Sequence, residues 1–201
     1  MDKLIGFWKN PNETFEIILT QKVNWIRVIG LFSCNGIVVV YYLMKSLGHI
    51  SIESFELTIF TILFLISFGA FYGIVTNFLI GFLIKVTGKF FKGKCDLLKI
   101  YTVLSWSFLP FIYSALLIIL NILIARVLTT DLDSSVILIL SLMVFVFLIA
   151  SLFLSIWQVT LLFKGLKLAQ NFNTTNTILN LISATIIYGI IYYTINHLPF
   201  I

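Results

Sequence analysis

Apolar residues in this chain are gathered into long runs free of Asp, Glu, Lys and Arg: residues 28–44, 57–84, 100–125, 134–163 and 168 to the end. A helix rises about 1.5 Å per residue and bilayer hydrocarbon is about 30 Å thick, so roughly 20 residues make one crossing. Each run therefore predicts one spanning helix, the first completed at its edge by Trp25, Ile26 and the stem of Arg27. The predicted fold class is all-α, a polytopic membrane bundle of five transmembrane helices. It forms one membrane domain over residues 1–201, with spans at about 25–47, 57–84, 100–125, 134–163 and 174–196. The second and fourth runs exceed the hydrocarbon thickness and are expected to tilt or to extend into the aqueous edge.

Ahead of the first span, "NPNETFEIILTQKVNW" carries a helix start: Asn10 to cap, Pro11 in the first turn, and Glu13 placed to reach back toward the cap. Phe15, Ile18, Leu19 and Val23 recur at helical spacing against Glu13, Glu16, Thr20 and Gln21. Residues 1–24 are thus predicted to hold a short amphipathic interfacial helix. Its apolar face either lies on the membrane or packs on the ends of the other helices. The segment lacks the apolar core and small-residue cleavage site of a signal peptide, so the first span is expected to persist in the mature protein.

Composition agrees with this reading: 60% of residues are hydrophobic, 10% are charged, and the mean hydropathy is +1.10. The net charge of +5 is arranged by topology rather than for nucleic acid, which is not an expected partner. Eleven of the thirteen basic residues fall before the first span, between spans two and three, or after span four. The positive-inside rule makes these segments cytoplasmic and puts the C-terminus outside, in the cell membrane or, in a eukaryote, an endomembrane. Lys85, Lys89, Lys92, Lys94 and Lys99 then face a cytoplasmic leaflet, where they contact anionic headgroups or a partner, or serve topology alone. Trp25, Tyr41, Tyr42, Tyr192 and Tyr193 fit the two interfacial belts, whereas Trp106 and Trp157 lie deeper and are expected to pack between helices.

Inside the spans, Gly69, Gly73, Asn77 and Gly81 step by four along one drifting face. Such a stripe allows close helix approach, and Asn77 can hydrogen-bond across it. Span one offers Gly30, Ser33, Asn35 and Gly36 as a facing surface. Gly73→Leu is expected to disrupt association, with Leu65→Ala as the mild control. Pro110 predicts a kink in span three. No ionisable residue sits at mid-depth, which argues against proton-coupled pumps and ion exchangers. There is no HExxH, GxSxG or nucleotide-binding glycine loop, so no catalytic residue, metal or cofactor is assigned. His49, Glu53, Glu56 and His197 form only a weak metal candidate, and Cys34 and Cys95 lie at different depths and are not expected to pair.

Four features resemble the Yip1 family of five-span membrane proteins: the leading "NPNETFEII", the block "FFKGKCDLLKIYTVLSWSFLP", the block "SIWQVTLLFKGLKLAQNFNTTNTI", and the short tail. Pro11, Phe15, Gly93, Pro110, Trp157, Gly165 and Leu166 stand at the motif positions. The resemblance implies a non-enzymatic multi-pass protein acting as an interaction or scaffold protein in membrane organisation or trafficking. Its implied partners are a second copy of itself or another membrane protein. Eukaryotic Yip1-like proteins also associate with prenylated Rab-type GTPases through a longer cytosolic N-terminal region. The few residues ahead of span one look more like the short bacterial members. The rival reading is a transporter or channel for a small or lipidic substrate, lined by Asn35, Asn77, Ser105, Ser107, Asn121 and Gln158.

Overall fold

The computed structural model describes residues 3–46, 59–94, 96–127 and 134–197, and among these every regular element is a helix. In order they are α1 (Lys3–Lys9), α2 (Pro11–Thr20), α3 (Trp25–Ser46), α4 (Ile59–Phe90), α5 (Leu97–Ser107), α6 (Leu109–Val127), α7 (Ser134–Gln170) and α8 (Thr174–His197). Five stretches are long and apolar enough to cross a membrane: Trp25–Met44, Ile62–Phe90, Leu97–Leu117, Ser134–Gln170 and Thr174–Ile195. The protein is an all-α multi-pass membrane protein.

The N-terminal segment holds two helices rather than one. Proline at position 11 has no N–H and disfavours the helical region for the residue before it, and Asn10 accordingly sits at φ −144, ψ 81. The expected cap also differs. Asn10 makes no side-chain bond to the helix backbone; its Nδ2 donates to Glu13 Oε2 at 2.9 Å, so the two side chains pair with each other. Asn10 O accepts the first intrahelical bond, from Thr14 N at 3.1 Å, and also takes Thr14 Oγ1 at 2.9 Å. α3 does have a side-chain cap, because Asn24 Oδ1 accepts from Arg27 N at 3.1 Å.

Span three breaks where Pro110 predicts it. α5 ends at Ser107, Phe108 is in a turn, and α6 begins at Leu109 with Pro110 in its first turn, where a missing N–H does no harm. Ser105 Oγ donates to Thr102 O at 2.9 Å and Ser107 Oγ to Val103 O at 2.8 Å, back-bonds that bend helices further.

The chain divides into two compact units. The first comprises residues 1–29, 75–107 and 160–201, and the second 30–74 and 108–159. In the first, Phe15, Ile18, Ile100, Val103, Leu104, Leu161 and Leu166 are buried. The apolar face of α2 is therefore covered by protein: the Phe15 ring lies 4.9 Å from that of Phe7, and Phe7 lies 5.3 Å from Trp106. Ile5 and Trp8 on α1 and Ile17 on α2 are exposed instead, as suits helices at the membrane interface. In the second unit, Val40 and Leu65 are buried with Ile37, Tyr41, Met44 and Tyr72 around them, and Phe32 meets Phe108 edge-on at 6.2 Å. The residues from Val136 to Val159 on α7 include many exposed large apolar side chains, as lipid contact allows.

Candidate interface at the lysine-bearing helix ends

α4 and α7 end in the same way. At the end of α4, Gly93 N donates to Gly88 O at 2.9 Å and Lys92 N to Lys89 O at 3.1 Å; at the end of α7, Phe172 N donates to Lys167 O at 3.0 Å and Asn171 N to Leu168 O at 3.3 Å. This pair of bonds is the Schellman arrangement, which turns one residue left-handed and satisfies carbonyls the helix leaves over. Lys92 at φ 64 and Asn171 at φ 56 occupy those positions. Asparagine adopts this conformation readily, but a lysine Cβ is strained there. Lys92→Gly is thus expected to raise stability by about 1 kcal/mol, seen as a higher unfolding temperature in detergent. An unchanged or lower midpoint would mean that the lysine side chain makes a compensating contact.

The two ends interlock within the first unit. A Cβ at Gly93 would lie 2.5 Å from Gln170 Oε1 and 2.7 Å from the Phe172 ring, and one at Gly88 would collide with the same Gln170 oxygen. Glycine at both places lets the Gln170 carboxamide lie directly on the α4 turn. Asn176 Nδ2 donates to Phe91 O at 3.4 Å, tying α8 to that turn as well. One turn deeper, Thr87 Oγ1 lies 2.8 Å from Leu83 O, 3.4 Å from Ile84 O and 2.5 Å from Asn180 Oδ1, so one proton faces three acceptors. Gln170 and Asn180 are 2% and 0% exposed, and Nε2 of the one and Nδ2 of the other have no hydrogen-bond partner among the described residues.

Lysines surround this junction. Lys89, Lys92, Lys94 and Lys99 are exposed and Lys85 is half-buried. Lys85 and Lys89 belong to α4 and Lys99 to α5, so helix ends carry three of the five. Lys164 and Lys167 are half-buried on α7, and Lys167 Nζ donates to Thr174 Oγ1 at 3.1 Å. Near the start of α3, the Arg27 guanidinium carbon lies 5.2 Å from the Trp106 ring centre. A cavity of about 30 Å³, the size of one water, opens beside them among Gln21, Lys22, Asn24 and Thr102.

The glycines predicted to pack meet two different neighbours. Gly69 and Gly73 lie against α3: a Cβ at Gly69 would sit 2.7 Å from Ile37 Cα, and one at Gly73 would overlap Phe32 O and lie 2.6 Å from Gly36 Cα. Gly81 instead lies against α5, 2.5 Å from the Tyr101 ring by the same measure, and Asn77 is buried. A four-residue step advances about 40° round the helix, so three steps carry Gly81 about 120° from Gly69. The span-one surface is narrower than expected, since a Cβ at Gly36 would run into the α4 backbone while one at Gly30 would meet nothing within 4 Å among the described residues. Leu65 is no neutral control, because it lies four residues before Gly69 on this face and is 8% exposed against Val40.

Of the remaining positions, Pro11, Phe15, Pro110 and Leu166 are buried and Trp157 is half-buried. A Cβ at Gly165 would lie 2.6 Å from Val103 Cγ1 and 2.9 Å from the Phe15 ring. Cys34 is a free, exposed thiol, whereas Cys95, His49, Glu53 and Glu56 lie outside the described residues. His197 stacks on Tyr193 with ring centres 4.0 Å apart. Among the described residues no group of three His, Cys, Asp or Glu side chains could hold a metal. Sequence reading passed over Gln170, Asn180, Thr87 and Gly88. The available signal was the pairing of Gly88 with Gly93, five apart, around a helix end.

A family model described as the Yip1 domain matches residues 5–195. No curated protein and no solved structure matches the chain.

Proposed function

Because this chain belongs to the Yip1 family, we propose that it is a non-enzymatic interaction or scaffold protein whose lysine-bearing helix ends face the cytoplasm and hold anionic headgroups. Its N-terminus is then cytoplasmic and its C-terminus outside. A second copy or another membrane protein is the partner assembled on that surface, and no covalent chemistry is performed. One observation carries the reading: exposed Lys89, Lys92 and Lys94 stand at the capped end of α4, which interlocks with the capped end of α7, so the charge is presented by ordered backbone. A transporter would need the span-three serines as lining groups, yet Ser105 and Ser107 bond carbonyls of their own helix.

The test is the protein in neutral nanodiscs, floated with vesicles that contain or lack phosphatidylglycerol. Each basic residue near an anionic surface contributes about 1 kcal/mol, so Lys89→Gln, Lys92→Gln and Lys94→Gln together should weaken binding by about 100-fold or more. The native affinity should also fall as salt rises. Unchanged, salt-independent binding in the triple variant would remove the headgroup role.

A further inference from the structure

An apolar groove of about 150 Å³ runs along the first unit between α4, α7 and α8. Ile80 and Ile84, Leu162, and Leu181, Ala184 and Tyr188 line it, and Thr185 stands at its exposed rim with its hydroxyl donated to Leu181 O at 2.8 Å. That volume matches protein cavities that take up benzene, so it admits a segment of hydrocarbon chain. All of these residues lie within spanning stretches, where the surrounding solvent is lipid.

What distinguishes this groove from an ordinary lipid-facing furrow is the polarity at one end. Along α8, Leu181 and Thr174 are seven residues apart, which puts them on one face about 10 Å from each other. Between those levels α8 carries Thr177 and Asn180, both buried, with Asn180 bonded to Thr87 of α4. At the Thr174 level sits the Lys167 ammonium, held by its hydrogen bond to the threonine hydroxyl, with Lys164 one turn back on α7. The groove and the Lys167 ammonium thus stand at two levels of one α8 face, about 10 Å apart. Such a sequence of environments complements an amphiphile with an apolar tail and an anionic head.

We propose that this groove holds one acyl chain of an anionic phospholipid from the surrounding bilayer, with Lys167 taking its phosphate. The proposal deepens the lipid reading above, on which it rests, but it assigns a single bound molecule to residues apart from Lys89, Lys92 and Lys94. Filling the groove restores dispersion contacts that its lining otherwise lacks. The fixed ammonium selects the headgroup charge.

The experiment is native mass spectrometry of the full chain, delipidated in detergent and titrated with phosphatidylglycerol or phosphatidylcholine. Native protein should retain one phosphatidylglycerol per chain and hold phosphatidylcholine at least fivefold more weakly. Lys167→Gln should erase about fivefold of that preference while leaving phosphatidylcholine retention unchanged. Thr185→Trp fills the groove from its exposed rim and should lose either lipid by tenfold or more, whereas Thr185→Val should keep both. Equal retention of the two lipids by native protein, or undiminished retention by a helical Thr185→Trp variant, would overturn the assignment. The Lys89, Lys92 and Lys94 triple variant should keep its single lipid even as vesicle attraction falls, so the two readings fail separately.

Discussion

Leucine in place of Gly73 is expected to destabilise the protein by about 3 kcal/mol or more. Even the first atom of a side chain there overlaps backbone, Phe32 O and Gly36 Cα, so no rotamer change relieves it. The neighbouring Gly36 and Gly69 positions are equally closed by backbone, and the only remedy is for α3 and α4 to move apart, uncovering Val40 and Leu65. Membrane helices lack a hydrophobic drive to associate, so close packing is most of what holds such a crossing together. Phe71→Leu is the control, since Phe71 is 65% exposed. Thermal unfolding in detergent should show a large fall for Gly73→Leu and little change for Phe71→Leu. Similar midpoints for both would mean that this contact does not hold the unit together.

Phe15→Ala should cost about 3–5 kcal/mol, the range for emptying a fully buried aromatic site. Phe15 is 0% exposed, packs edge-on against Phe7, and fills the space left by Gly165. Its loss leaves α2 with Ile18 as the main buried anchor. The readout is protease cleavage within residues 1–24 together with the unfolding midpoint, and both should change. Cleavage at the native rate would show that α1 and α2 are held by other contacts. A Phe15→Leu variant, which keeps most of the apolar volume, should recover much of the loss.

The five spans were readable because a bilayer imposes one requirement on every crossing, an uninterrupted apolar run, and residues 28–44 through 168 to the end meet it. Helix ends were less readable. Lys85 closes an apolar run, yet α4 continues to Phe90 because a charge does not stop a helix; the left-handed residue Lys92 does. The break in span three could be foreseen from Pro110, since the missing N–H is a local property of one residue. The junction around Gln170 and Asn180 could not be, because it brings together residues about 80 to 90 positions apart through two glycines whose sequence neighbours say nothing of a carboxamide. The drift of the glycine stripe from α3 toward α5 was arithmetically available, but which helix waits at each angle is decided by tertiary packing.

α7 runs for 37 residues, about 55 Å. Tilted even by about 40°, the long rod still covers about 42 Å along the membrane normal, enough to pass through both headgroup layers. It therefore has length to spare in a thick membrane. When membrane thickness changes, α7 can absorb the hydrophobic mismatch by changing its angle.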